Sequence, residues 1–139
     1  METTLVDSNV LLDIATDDPE WSSWSTLALA RALEEGGLAI NPIIYAEVSV
    51  RYASIEELEY SLPVSTYARL PLPWEAGFLA GKCFARYKTK GGIRRSPLPD
   101  FFVGAHAAVS GFRLLTRDAS RYRTYFPGLR LISPGSKTA

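Results

Sequence analysis

SPLPDFFVGAHAAVSGFRLLTRD (Ser96–Asp118) decides how the rest of the chain reads. Pro99 suits the first turn of a helix, where its missing N–H costs nothing. Asp100 beside it faces the positive end of the helix dipole, worth roughly 0.3–1 kcal/mol. Ten residues without a charge follow, Phe101–Ser110. Among them Val103, Gly104, Ala107 and Ala108 share one small, apolar face with Asp100, which predicts packing against a core. FRLLT (Phe112–Thr116) then reads as a short strand, with Asp118 two residues beyond it. The segment is a helix feeding a strand, with a carboxylate at the start of one and just past the end of the other. A carboxylate at the edge of a core needs a partner, so Asp100 raises the question of what it faces.

Working outward, the same alternation recurs. Thr3–Val6 reads as a strand, and NVLLDIA (Asn9–Ala15) as a helix capped by Ser8 or Asn9. A second helix takes Asp18 as cap, Pro19 as first residue and Gly36 as stop. LAIN (Leu38–Asn41) is the next strand, and Asn41 with Pro42 opens the helix PIIYAEVSVRYA. Ser54 and Glu57 form a capping box for SIEELEYSL. ARLPL (Ala68–Leu72) is a weak strand that its prolines confine to an edge. An amphipathic helix runs from Trp74 to Gly91, followed by the basic loop IRRSP. A short helix from Ala119 and a last strand, LRLIS (Leu129–Ser133), close the chain. Short apolar strands alternating with helices imply parallel strands joined by right-handed crossovers, hence a three-layer α/β/α domain. Residues 1–133 are expected to form this single domain, and 134–139 a disordered tail.

Composition narrows the chemistry. The 139 residues are 47% hydrophobic and 22% charged, the balance of a soluble globular domain. No apolar run reaches the length of a membrane span and no signal peptide is evident, so a cytoplasmic protein without a membrane partner is expected. The single cysteine, Cys83, excludes an internal disulfide and a multi-cysteine zinc site. Net charge is zero, yet residues 1–75 hold 13 acids against 3 Lys/Arg, and residues 76–139 hold 2 acids against 12. A basic half suits the phosphates of nucleic acid. The two acids kept within it are Asp100 and Asp118.

In a parallel α/β sheet, ligands bind beyond the carboxyl ends of the strands. Asp7 follows the first strand and Asp118 follows RLLT, which places both on that edge. Asp100 starts the helix that returns to the same strand, so it too belongs there. Glu47 is the fourth candidate, set on a helical face with Ile43 and Val50; an i,i+4 pair with Arg51 is its ordinary alternative. Taken singly, each acid has a structural explanation. Together they would repel one another and hold protons unless a cation offsets them. A hard divalent ion such as Mg²⁺ takes carboxylate oxygens, activates water and holds a phosphate oxygen. Beside a basic half, the chemistry implied is phosphodiester hydrolysis.

LVDSNVLLDI, NPIIYAEVSV and RRSPLPDFFVGAHAAVSGFRLLTRDASRYRTYFPGLRLISP together resemble, in order and spacing, the PIN-domain ribonucleases of the VapC toxin type. The likeness spans nearly the whole chain, and its last block is the specific one. It implies a PIN-like domain around a central parallel sheet of five strands. It implies a toxin that cleaves RNA with Mg²⁺ or Mn²⁺ and pairs as a homodimer, and a cognate VapB-type antitoxin. The family's acids, catalytic and metal-holding, carry over to Asp7, Glu47, Asp100 and Asp118. Thr116 matches the hydroxyl residue that precedes the last acid.

Other residues carry two readings each. Ser8 either caps the first helix or supports the bound ion. Arg94 and Arg95 either grip RNA phosphates or belong to an ordinary surface loop. RYRTYF (Arg121–Phe126) interleaves basic and aromatic residues in a way that suits stacking on single-stranded RNA, but Tyr122 and Phe126 are expected to pack on the sheet. Trp21 and Trp24 face either a partner or the core. His106 lies about 240° around the helix from Asp100 and is read as structural. Two other functions compete. A non-catalytic RNA-binding module would not need this many carboxylates, which repel phosphate unless a metal intervenes. A phospho-acceptor receiver domain needs a lysine after its final strand and an acceptor aspartate at a central strand, where this chain has SPGSKTA and Asn41.

Overall fold

A computed structural model describes residues 2–91 and 97–135. Arg94, Arg95 and all of the expected tail beyond Gly135 lie outside the described residues. The first strand of the chain, β1 (Glu2–Val6), is the middle strand of the sheet. On one side it pairs with β2 (Gly36–Ile40), and beyond that lies β3 (Tyr67–Arg69). On the other it pairs with β4 (Arg113–Leu115), then β5 (Leu131–Ile132). Among the described residues every pairing is parallel, giving five strands in the order β3-β2-β1-β4-β5. Leu5 lies opposite Ala39 on one side and Leu114 on the other, and all three are fully buried. Strands covered on both faces read as continuous apolar runs, which is why LV, LAI and LL carry the sheet.

Among the described residues seven helices cover it: α1 (Ser8–Ala15), α2 (Ser22–Glu35), α3 (Pro42–Ser49), α4 (Ile55–Ser61), α5 (Trp74–Thr89), α6 (Leu98–Ser110) and α7 (Ser120–Tyr125). Right-handed crossovers put the connections leading out to β3 on one face and those returning to β5 on the other. The three-layer expectation holds, as does the edge position of the proline-flanked β3.

Local chemistry sets the helix ends. The Asn41 side chain accepts from the Ile44 N–H at 3.0 Å, with Pro42 as the first helical residue of α3. Ser54 accepts from the Glu57 N–H at 3.2 Å, while Glu57 reaches back to the Ala53 N–H, one residue earlier than an ideal capping box requires. Two ends differ from the sequence reading. Asp7, not Ser8 or Asn9, caps α1, because the helix begins directly after β1 and leaves the aspartate half-in. Helix α2 begins at Ser22, not Pro19: Asp18 accepts the N–H groups of Glu20 and Trp21 and spends itself on a turn. Gly36 ends α2 and starts β2 without a loop. A Cβ there would stand 1.8 Å from the Glu2 carbonyl oxygen, so no other residue fits.

Helix α6 is buried more broadly than a single stripe. Phe101 and Val103–Ala107 are buried, but Ala108, expected on the packed face, is exposed. The helix packs against α5 as well as β4, and two neighbours bury a wider arc than one. His106 is structural, as read: it is buried and its Nδ1 lies 3.0 Å from Asn41 Nδ2, tying α6 to the end of β2. Burial lowers its pKa.

Candidate active site

With strand order β3-β2-β1-β4-β5, the chain leaves β1 in one direction and returns on its other side. The crevice at that reversal, between the carboxyl ends of β1 and β4, is where such folds bind ligands. Asp7 and Thr116 occupy those two ends, and they touch. Thr116 Oγ1 donates to Asp7 Oδ2 at 2.9 Å, and the Asp7 N–H donates to the Leu115 carbonyl at 2.9 Å. Tyr122, buried in α7, donates its hydroxyl to the same Oδ2 at 2.9 Å. Oδ1 accepts from the Ser8 N–H at 2.8 Å. The Asp7 carboxylate is thus held by three donors, yet its pKa is pushed up from 3.8 to about 6. Burial is the larger influence; the bonds from Tyr122 and Thr116 oppose it, and the charge of Asp100 adds to it.

Thr116 is itself fixed from behind. Its hydroxyl accepts from Asn9 Nδ2 at 3.2 Å and from the Asp118 N–H at 3.2 Å. Asn9 Oδ1 in turn accepts from the Arg117 N–H at 3.0 Å. Arg117 then reaches the other way. Its Nε and Nη2 donate to Asp13 at 2.8 and 2.9 Å, and its guanidinium lies over the Trp21 ring. Asp13 is buried and also accepts from Ser25. The loop that carries Thr116 and Asp118 is therefore anchored to α1 and α2 by a two-pronged ion pair.

Asp7, Asp100 and Asp118 line one cleft of about 300 Å³ with Asn9, Tyr87, Ser120 and Arg121. Asp100 sits in the first turn of α6, as expected, about a third exposed. Its partner is Arg121 of α7, whose Nη1 lies 2.7 Å from Asp100 Oδ2. The sequence reading looked to a metal for that partner; the structure supplies an arginine three residues past Asp118. Glu47 does not line the cleft but is linked to it: Ser8 Oγ donates to Glu47 Oε1 at 2.8 Å. Burial raises the Glu47 pKa, the Ser8 bond opposes this, and Asp100 adds to it. Ser8 thus joins two of the expected acids, its backbone to Asp7 and its hydroxyl to Glu47.

The donor set suits a hard cation. All four acids offer carboxylate oxygens, Asp100 makes both Asp7 and Glu47 harder to ionise, and a divalent ion would relieve that repulsion. Among the described residues, however, no three of these acids are grouped closely enough to ligate one ion as they stand. Arg94 and Arg95 cannot be placed against the cleft. Sequence reasoning misses Asn9 and the Asp13–Arg117 pair, reads Tyr122 only as packing, and reads Arg121 only within a candidate RNA-stacking segment. Asp13 carried the signal used for Glu47, a lone acid in an apolar helix.

The fold and site are those of a doubly wound parallel α/β domain with an acid-lined cleft at its switch point. The chain belongs to the PIN domain family, whose model matches residues 4–127. None of the curated proteins matches it significantly. Among solved structures the fold is similar to that of VapBC2 from Rickettsia felis, bound to a DNA fragment from its promoter, with a TM-score of 0.71 and 18% identity over 94% of this chain and 98% of that one. It is similar also to FitAcB from Neisseria gonorrhoeae (TM-score 0.70, 17% identity, 94% and 97% covered). A toxin–antitoxin complex from Klebsiella pneumoniae gives 0.65 at 22% identity over 94% and 97%.

Proposed function

We propose that the protein is a metal-dependent endoribonuclease, the toxin of a toxin–antitoxin pair. The observation that carries this is the convergence of Asp7, Asp100 and Asp118 on one cleft at the switch point of a PIN domain, with Glu47 tied in through Ser8. Asp7, Asp100, Asp118 and Glu47 would hold Mg²⁺ or Mn²⁺. When bound, such an ion lowers the pKa of a water and steadies a phosphate oxygen. The chain's own residues do the positioning. Thr116 and Tyr122 fix one oxygen of Asp7 and hold its proton affinity down. Ser8 orients Glu47, and the Asp13–Arg117 pair sets the loop that delivers Asp118. Arg121 is placed to turn from Asp100 to an incoming phosphate.

The fold neighbours are VapBC and FitAB assemblies, which supports a VapB-type antitoxin as partner. A homodimer through apolar helix faces is part of the same reading. No helix among the described residues is long and apolar enough to cross a membrane, consistent with action on RNA in the cytoplasm. The test is expression in a bacterial host with and without the neighbouring upstream reading frame, with RNA ends mapped. Growth arrest with new internal RNA ends, relieved by the upstream frame, is expected. Growth and RNA identical to an empty vector would overturn the proposal.

A further inference from the structure

Next to the acids, one wall of the cleft is aromatic, and cations rest on its rings. Tyr87 and Tyr125 both line the cleft, their rings 6.4 Å apart and both edge-on to the fully buried Phe101, at 5.9 and 5.0 Å. Phe101 fixes the two rings. Over them lie three cations. The Arg86 guanidinium is 5.1 Å and the Lys90 ammonium 5.8 Å from the centre of the Tyr125 ring, and the Arg121 guanidinium is 5.9 Å from that of Tyr87. Arg86 lies on α5 and Lys90 caps its end, one turn apart and so on one face; both are exposed. Among the described residues no carboxylate pairs with either.

From this we infer that Arg86, Lys90 and Arg121, held over Tyr87 and Tyr125, are a seat for the backbone of single-stranded RNA leading into the acid cleft. The inference rests on the ribonuclease reading above and names the residues that receive its substrate. Cations resting on aromatic faces are pre-oriented, so gripping a phosphate costs them less side-chain freedom. An unpaired strand can also offer its base planes to the guanidinium planes and open ring faces, which the stacked bases of a duplex cannot. Arg121, paired with Asp100, lines the acid cleft, while Arg86 and Lys90 rest on the Tyr125 ring that lines it too.

The test compares wild type with Arg86→Gln/Lys90→Gln in the full chain. The probe is a short fluorescein-labelled single-stranded RNA with 2′-O-methyl sugars, read by anisotropy across a salt series before any cleavage. Each phosphate contact on a single strand contributes about 0.7 to the slope of log affinity against log salt, so the double variant should lose about 1.4. In Mg²⁺-supported cleavage its KM should rise with kcat little changed. The charge-matched control Arg31→Gln/Arg51→Gln should keep the wild-type slope, and a duplex of the same sequence should bind more weakly. A cleaving wild type whose double variant keeps the full slope, or whose control loses as much, overturns the seat alone. Equal affinity for the duplex overturns its single-strand preference. A wild type that neither binds nor cleaves overturns the seat together with the ribonuclease reading.

Discussion

Asp7 is the residue on which the site turns, and its hydrogen bonds make it testable without substrate. Its pKa is raised, from 3.8 to about 6. A carboxylate raised on folding contributes stability that is complete below its unfolded value and lost as pH rises through its folded value. Two units at about 1.4 kcal/mol each put the loss at roughly 2–3 kcal/mol between about pH 4 and pH 7. Urea unfolding in EDTA should show that loss in wild type and lack it in Asp7→Asn, apart from the smaller share due to Glu47, whose pKa is also raised. Tyr122→Phe removes a donor that lowers the Asp7 pKa. It should cost about 1–2 kcal/mol at neutral pH and less in acid, where Asp7 is protonated. Equal costs at both pH values would mean that the tyrosine hydroxyl does not serve the carboxylate. That Asp7, Asp100 and Asp118 share one edge was legible because each stands at a strand or helix end beside an apolar run. Tyr122 and Arg121 were not: aromatic and basic residues on a short helix are ordinary, and only the fold brings them 115 and 21 positions back to Asp7 and Asp100.

At the scale of elements, two contacts hold the site's walls in register. Gly104 of α6 lies against the buried Phe126 just past α7; a Cβ there would stand 2.5 Å from the ring. Gly104→Ala should therefore destabilise by roughly 1–3 kcal/mol through overpacking, although alanine is the better helix former by about 1 kcal/mol. Thermal unfolding checks the sign: a gain in melting temperature would show that the ring yields freely. The second contact is the Asp13–Arg117 pair. Asp13 is almost fully buried, while Arg117 keeps about a third of its side chain in water. Arg117→Leu strands a buried charge and should cost roughly 3–5 kcal/mol; Asp13→Asn leaves an arginine that can turn to solvent and should cost less. Chemical denaturation of both variants checks the order, and the reverse order would contradict this account. Helix and strand identities were readable from spacing, caps and β-branched runs. Helix starts were less so, because Asp7 and Asp18 can each either cap a helix or close a turn, and what precedes them in three dimensions decides which.

For the whole molecule, the division of charge seen in the sequence acquires a place. The basic half supplies α5, α6 and α7, which bring Arg121 to the cleft that holds its two aspartates and set Arg86 and Lys90 on the Tyr125 ring at its wall. The acidic half supplies the exposed apolar side chains Val50, Tyr60 and Trp74, between 83 and 92% exposed, in the first two-thirds of the chain where the homodimer is expected. Light scattering at micromolar concentration should give a mass twice that of the 15.3 kDa chain; a monomer would remove the dimer and leave the site untouched. The layered, parallel class of the sheet was legible because short apolar strands alternate with helices; its strand order was not, since it depends on which way each crossover turns. The cleft was legible only as a set of acids, since the sequence does not show that Arg121 reaches Asp100. The measurement that tests the central claim most directly is RNA cleavage by Asp100→Asn beside wild type, in Mg²⁺ and in EDTA. The exchange keeps size, removes a partly exposed ion pair worth at most about 1 kcal/mol, and relieves repulsion on Asp7 and Glu47. The predicted result is wild-type cleavage in Mg²⁺ that EDTA abolishes, and a folded Asp100→Asn protein that cleaves in neither. Cleavage by Asp100→Asn at the wild-type rate would contradict the account.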